Sequence, residues 1–210
     1  MAEMELKCAE LGMLPTNVYF LQNKETKELI IVDPADNEDI IKDIVAKMEG
    51  RPVAILLTHG HFDHILAAEE IRDYYNIPII AHEAEKVFLT DAKVNNTAMY
   101  TRKKVEFDAD IYAKDNDEFE YAGFKFKVIH TPGHTPGCCC YYFPEQKVLM
   151  SGDTLFKLSY GRVDFPLSNP RDMMESLHRL FTEIPDDVNV YPGHMEMTKM
   201  SLEKRFNPGA

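Results

Sequence analysis

No apolar stretch in these 210 residues approaches the ~18 residues of a membrane span. The apolar runs are short, such as Val53-Ala54-Ile55-Leu56-Leu57. A basic charge balance is missing as well: Lys plus Arg number 23 against 35 Asp plus Glu, a formal charge of −12. Such a chain repels phosphate backbones and anionic lipid, so neither nucleic acid nor a membrane surface is an expected partner. The N-terminus, MAEMELKCAELGM, lacks the basic flank and apolar stretch of a signal peptide, and a cytoplasmic location is the expectation. There is no disulfide framework. Of the four cysteines, Cys138, Cys139 and Cys140 are consecutive and Cys8 stands alone. Alternation along a strand would send Cys138 and Cys140 to one face and Cys139 to the other, as small buried side chains in a reduced compartment. No repeat, low-complexity tract or Pro/Gly/Ser-rich linker divides the chain. One domain over residues 1–210 is expected, long enough to bury a core without staples.

Apolar residues make up 45% and charged residues 28%, which excludes a disordered, collagen-like or coiled-coil chain. The first half alternates strand and helix patterns. Val18–Leu21 and Leu29–Val32 read as strands around a turn-prone Asn23–Thr26. Asp36 through Met48 has helical spacing, with Gly50 closing it. Val53–Leu57 reads as a buried strand, Ile65 through Tyr75 as a helix and Ile77–Ala81 as the next strand, a rhythm that implies parallel sheet. The second half is rich in short strands: Glu118–Tyr121, Phe124–Ile129, Cys138–Phe143, Lys147–Met150 and Val188–Tyr191. Arg171–Phe181 reads as a helix capped by Asn169, and Thr198–Phe206 as a terminal helix. Asp91–Lys104 fits a loop over a site or a short helix.

The informative segment is Thr58-His59-Gly60-His61-Phe62-Asp63-His64, directly after the buried strand. Three of the eight histidines fall within it, with a carboxylate between the last two. Imidazole nitrogens and carboxylate oxygens are the ligands of Zn²⁺, Fe²⁺ and Mn²⁺. One loop does not complete a metal site, so further donors are expected at later strand ends. His134 lies in the turn Thr131–Gly137, Asp153 in Ser151-Gly152-Asp153-Thr154, and His194 in Tyr191-Pro192-Gly193-His194. Each follows a strand and sits beside glycine, where open α/β sheets place their ligands. Five histidines and two aspartates are enough for two metal ions. Asp33 either hydrogen-bonds a ligand histidine or simply ends a strand before Pro34. His82, His130 and His178 read as structural.

The HxHxDH segment followed by an isolated His, Asp and His resembles the metallo-β-lactamase superfamily, over about Asn17 to Asn207. Ile31-Val32-Asp33-Pro34, Gly152-Asp153-Thr154-Leu155-Phe156, Gly161-Arg162-Val163-Asp164-Phe165-Pro166, and Gly193-His194 with Thr198, Glu203 and Asn207-Pro208 look like its glyoxalase II-type branch, in its short single-domain form. The resemblance implies an αββα sandwich, two mixed sheets face to face with helices outside. It implies that His59, His61 and His134 hold one metal, that Asp63, His64 and His194 hold the second, and that Asp153 bridges them. The expected cofactors are two divalent metal ions, Zn²⁺ foremost, with Fe²⁺ or Mn²⁺ as alternatives. The expected activity is hydrolysis of a small-molecule thioester, with S-D-lactoylglutathione a candidate. A hydroxide shared by metals about 3.5–4 Å apart would attack the carbonyl, with Asp63 and Asp153 as the carboxylates at the reacting centre. Arg162 resembles in position a basic glutathione-contacting residue of longer glyoxalase II enzymes. Arg162 is therefore a candidate substrate contact, and Tyr160 either hydrogen-bonds a substrate or simply packs.

Departures from the branch concern substrate. Asp153 argues against the β-lactamases that carry a cysteine there. Longer glyoxalase II enzymes add a helical extension with further basic glutathione contacts; the sequence stops at Ala210, and those contacts are not expected within it. Met195 stands where many relatives have glycine, and Leu167-Ser168-Asn169 where a Gly-rich stretch is common. Three other readings are a persulfide dioxygenase with mononuclear iron on His59, His134 and Asp153, a lactone hydrolase, and a non-enzymatic metal-binding module. Metal content per chain is the measurement that separates the thioesterase from the dioxygenase.

Overall fold

Residues 2–210 are described by a computed structural model. The first half runs β1 (Met4–Leu11), β2 (Thr16–Asn23), β3 (Glu28–Val32), α1 (Glu38–Lys47), β4 (Arg51–Leu56), α2 (Phe62–Ile65), α3 (Ala68–Tyr75) and β5 (Ile79–His82). A 3-10 turn (Glu83–Glu85) leads into α4 (Lys86–Thr90), α5 (Thr97–Tyr100) and β6 (Ile111–Ala113). The second half runs β7 (Glu118–Tyr121), β8 (Phe124–His130), β9 (Cys139–Phe143), β10 (Val148–Gly152), β11 (Leu155–Phe156), β12 (Ser159–Tyr160), α6 (Pro170–Glu183), β13 (Asn189–Pro192), β14 (Thr198–Lys199) and α7 (Met200–Phe206).

The strands β1-β2-β3-β4-β5-β6 form one sheet, antiparallel from β1 to β3 and parallel from β3 to β6. The strands β14-β13-β10-β9-β8-β7 form the other, with β10 and β13 its parallel pair. Period-two alternation assigns each strand residue to a layer. Leu21, Ile30, Val32, Leu56 and Ile80 of the first sheet meet Phe124, Phe126, Val128, Tyr141 and Phe143 of the second. The intervening residues Phe20, Ile31, Ile55 and Ile79 face the other way and pack with Ile41 and Val45 of α1 and Ile71 of α3. On the far side, Ile129, Cys140, Leu149 and Val190 pack with Met173, Leu177 and Leu180 of α6. The layers are helix, sheet, sheet and helix, the αββα sandwich expected from the sequence. Each buried Leu or Ile contributes roughly 1.5–3 kcal/mol. Asn169 caps α6 as read, its side chain accepting from the N–H groups of Arg171 (3.0 Å) and Asp172 (3.4 Å).

Several boundaries differ. The expected helix from Ile65 is two pieces, because the chain turns at Leu66 and Ala67, whose N–H groups donate to Ala35 and Pro34 carbonyls. Thr198 and Lys199 form a short strand on β13 before α7 begins. The stretch 91–117 holds both a short helix and a strand, α5 and β6. β1 carries no strand reading in the sequence, since half of it is exposed and three of those four positions are charged. Cys139 faces the inter-sheet layer and Cys140 faces α6, as alternation demands. Cys138 does not share the face of Cys140: it precedes β9, and its sulfur takes the Thr135 hydroxyl at 3.2 Å. All three are buried and Cys8 is exposed. Among the described residues no helix is long and apolar enough to cross a membrane.

Candidate metal centre

Buried β4 runs into Leu57, Thr58 and His59, and the chain then turns. His61 is extended (φ −65°, ψ 150°) and stands at the N-terminus of α2, so Asp63 and His64 lie in the first helical turn. The second sheet supplies the rest: His134 from the β8–β9 turn, Asp153 just after β10 and His194 just after β13. All seven sequence-predicted donors come together. His59, His61 and His134 form one group, Asp63, His64 and His194 another, and His59, His64 and Asp153 a third. Within each group the donor atoms lie within 4.8 Å of one another. His61 Nδ1 is 2.8 Å from His134 Nε2, and His194 Nε2 is 3.2 Å from Asp63 Oδ2. Asp153 lies between the sets. Its Oδ1 is 3.4 Å from His64 Nε2, and its Oδ2 is 3.6 Å from both His134 Nε2 and His194 Nε2. Gly193 is required here, since a Cβ would stand 2.3 Å from Asp153 Oδ1.

Outer groups aim these donors. Asp33 accepts from Thr58 N (2.7 Å) and Thr58 Oγ1 (2.6 Å), and its Oδ2 holds His64 Nδ1 at 3.0 Å. This resolves the two readings of Asp33 in favour of a histidine partner. His134 Nδ1 lies 2.8 Å from the Arg162 carbonyl, and His194 Nδ1 2.8 Å from that of Pro15. In each case the anchored nitrogen leaves Nε2 facing the cluster. His82 and His130 stack on each other at 3.9 Å, consistent with structural roles.

Among the described residues, the buried atoms His59 Nε2 and Asp153 Oδ1 have no hydrogen-bond partner, Asp153 Oδ1 having only the 3.4 Å approach of His64 Nε2. A buried polar atom left unsatisfied costs about 1–3 kcal/mol. A divalent cation within reach of both would satisfy them, and the imidazole and carboxylate donor set suits Zn²⁺, Fe²⁺ or Mn²⁺. The donors fit the metals that the sequence implies, and the cluster suggests a binuclear divalent site.

The electrostatics agree. Burial holds His59 well below its usual range, and burial with neighbouring His134 pushes His61 down to about 3, so both rings are neutral. Burial disfavours charge on Asp63 and Asp153, but the adjacent imidazoles, His64 foremost, outweigh it and hold both carboxyls below their usual range. Burial also disfavours charge on His64, yet Asp153 and Asp63 raise it well above 6.5. His194 is raised too, against its own burial, by Asp63 and Asp153. The two carboxylates thus favour positive charge on His64 and His194, at a place where cations would serve equally.

Glu85 is a participant the sequence reading missed. It is fully buried. Its Oε1 accepts from Gly60 N at 2.8 Å and its Oε2 from Thr135 Oγ1 at 2.9 Å, and the N–H of Gly137 also donates to it. It therefore clamps the loop of His59 and His61 to the turn of His134. No local pattern signals this, because its partners lie 25 and 50 residues away. Burial pushes its carboxyl up to about 7, against the three hydrogen bonds. Between pH 4.5 and 7 the folded chain then holds a proton there that the unfolded chain has lost, so this group's contribution to stability falls as pH rises through that window. Glu85→Gln removes the titration. The melting temperature of the variant minus that of the parent is expected to grow more positive from pH 5 to pH 8, measured by thermal denaturation. A flat difference would rule out the raised carboxyl.

The two candidate substrate contacts lie beside the cluster, in the segment after Asp153. The Arg162 guanidinium is held by Asp164 through two 2.9 Å bonds and lies 4.4 Å from the Phe165 ring centroid. Its closest link to the cluster is its carbonyl on His134. Tyr160 packs its half-buried ring against the α6 layer. Phe165 and Phe88 flank His61, with centroids at 5.4 and 5.3 Å.

Comparison with known proteins adds the following. The family model of the metallo-beta-lactamase superfamily matches residues 11–194. The chain is similar to the probable metallo-hydrolase YqgX of Bacillus subtilis, 32% identical over 98% of this chain and 97% of that protein. It is 28% identical to the hydroxyacylglutathione hydrolase GloC of Haemophilus influenzae, over 88% of each. Among solved structures, the BLEG-1 B3 metallo-beta-lactamase superposes with a TM-score of 0.91 at 34% identity, over 97% of this chain and 98% of that one. The di-iron-bound form of TTHA1623 gives 0.84 at 30%, over 96% and 98%. ETHE1 from Myxococcus xanthus gives 0.80 at 26%, over 98% and 84%.

Proposed function

Since the chain belongs to the metallo-beta-lactamase superfamily, we propose that it is a binuclear metal-dependent hydrolase acting on thioesters in the manner of glyoxalase II. The observation that carries this reading is the pair of complete donor groups with Asp153 between them. His59, His61 and His134 would hold one ion, Asp63, His64 and His194 the other, and Asp153 both. The likeness to GloC supports a thioester as substrate. Zinc is the expected metal, and the di-iron form of TTHA1623 supports iron as the alternative. Three unpaired buried cysteines favour a cytoplasmic home.

Two divalent cations, when bound, supply a water acidic enough to ionise near neutral pH and a Lewis acid for the carbonyl. The chain's own groups do the rest. Asp63 and Asp153 orient the attacking water. The Asp33–Thr58 pair and the Pro15 and Arg162 carbonyls keep three imidazoles from rotating. Phe88 and Phe165 exclude bulk water beside His61. Cys138, Cys139 and Cys140 are poor nucleophiles, since burial raises their thiols. A thiolate leaves without needing a strong acid.

The likeness to ETHE1 keeps the persulfide dioxygenase reading in the test. It would use His59, His134 and Asp153 and leave Asp63, His64 and His194 without a cation, an unfavourable grouping of buried polar atoms. Purified protein is expected to carry close to two metal ions per chain and to release thiol from S-D-lactoylglutathione or another acyl thioester without oxygen. A β-lactam assayed in parallel covers the likeness to BLEG-1. One iron per chain, oxygen uptake with glutathione persulfide and no thiol release would overturn the hydrolase.

A further inference from the structure

Arg162 has a carboxylate of its own in Asp164, so an anionic substrate meets an already neutralised guanidinium there. Arg72 and Arg179 are likewise paired. Arg102 is exposed and has no ion pair among the described residues. It stands on the wall of a groove of about 540 Å³ with Met13, Phe62, Met99, Tyr100 and Lys103. Small-molecule sites are usually roughly 300–1,000 Å³.

None of the seven donors lines the groove, but two of its wall segments run directly into the donor loop and its supports. Phe62 is the residue between His61 and Asp63. Met13 lies at the start of the turn whose Pro15 carbonyl holds His194 Nδ1 at 2.8 Å and whose Thr16 hydroxyl reaches Asp63 Oδ2 at 3.4 Å. Phe62 stacks on Tyr100 with centroids 5.1 Å apart, which ties α5 to the donor loop. Met13, Met99 and Tyr100 are 67%, 73% and 50% exposed. Flexible thioethers beside an aromatic ring make an adaptable apolar surface, and apolar surface left open next to a reacting centre marks a binding site. The charges at its rim are few. Lys103 is engaged by Glu70 at 2.8 Å, and Asp36 lies on the same groove. One uncommitted guanidinium near a carboxylate favours a ligand with a single negative group over a polyanion.

We propose that this groove binds one arm of the thioester, apolar along its length and ending in a carboxylate. Met13, Phe62, Met99 and Tyr100 line the arm and Arg102 takes the carboxylate. The identity of the arm rests on the thioesterase reading, whereas the groove's affinity for an apolar carboxylate does not. Either side of the scissile bond can present such an arm, as the acyl group or as the departing thiol.

Two measurements on the metal-loaded protein test this. In the first, protein labelled with [methyl-13C]methionine is titrated with hexanoate. The Met13 and Met99 methyl resonances, assigned by substitution, are expected to shift, and Arg102→Ala should weaken the apparent affinity roughly tenfold or more. Absence of shifts overturns the groove. Equal titration of parent and Arg102→Ala also overturns it, because the carboxylate would then be held at the metals. In the second, KM is compared for the hexanoyl and adipoyl thioesters of N-acetylcysteamine and for the acetyl thioester of 6-mercaptohexanoate. A lower KM for adipoyl than for hexanoyl places the arm on the acyl side, and a lower KM for the mercaptohexanoate ester places it on the thiol side. Either advantage is expected to vanish in Arg102→Ala and to shrink in Met99→Glu. Persistence of the advantage in Arg102→Ala overturns the assignment. Methionine shifts with no hydrolysis of any ester would overturn the thioesterase reading alone.

Discussion

Asp153→Ala is expected to lower thioester turnover by about 10³-fold or more while the chain keeps its secondary structure. Asp153 reaches His64, His134 and His194, and so spans both donor groups. On the proposed reading its removal would take a ligand from each ion, and it leaves the raised imidazole of His64 with less anionic compensation. Local folding depends more on its neighbours. Thr154 N donates to the Ser151 carbonyl at 3.0 Å, and Thr154 Oγ1 meets Thr131 Oγ1 at 2.8 Å. The loss should fall on kcat and kcat/KM together, the signature of an interaction made in the transition state. Elemental analysis of the variant should show both metal positions depleted, and circular dichroism should match the parent. A variant with two bound metals and near-parental turnover would remove Asp153 from the bridging role.

Stripping and reloading the metals should produce the largest change in stability. A ligand at 1,000 times its dissociation constant adds about 4 kcal/mol per site. In a chain of this size each kcal/mol moves the melting temperature by about 2–4 °C. Loading with Zn²⁺ or Fe²⁺ is therefore expected to raise it by roughly 8–16 °C per site filled tightly. The effect has a pH sign. The carboxylates of Asp63 and Asp153 raise His64 and His194 above their ordinary range, so protons compete with a cation for both rings. The gain on loading should be smaller at pH 6 than at pH 8, and loading in weak buffer should release acid. A melting temperature indifferent to metal at both pH values would falsify the binuclear reading.

The donors were legible in the sequence because they are local or punctuated. His59, His61, Asp63 and His64 sit in one segment, and His134, Asp153 and His194 each stand beside a glycine after a strand. The sandwich was legible because Val18–Leu21, Leu29–Val32 and Phe124–Ile129 carry continuous or alternating apolar residues. What stayed hidden depends on contacts far apart in the chain. Glu85 is an ordinary acidic residue after β5 until folding places Gly60 and Thr135 against it. The pairing of Arg162 with Asp164 is local but fits a surface pair as well as a substrate anchor, and only the direction of the side chain separates them. Arg102 stood in the stretch that had no clear pattern, since α5 is a single turn held by Tyr100 on Phe62 and by Thr101 N on the Thr97 carbonyl.

The first strand has a consequence for how copies of this chain meet. β1 pairs with β2 along all eight of its residues and closes one end of its sheet, so its other side offers a row of unpaired peptide groups. The opposite end of that sheet, β6, has three residues, and β14 at the margin of the other sheet has two, too short to template a neighbour. β1 is long enough to recruit a further strand. Its exposed positions are Glu5, Lys7, Cys8 and Glu10. A second molecule docking there would bring acidic side chains into register within a chain of net charge −12. Amyloid-like growth from this margin is thus opposed by electrostatic repulsion, and replacing Glu5 and Glu10 with valine would open the route.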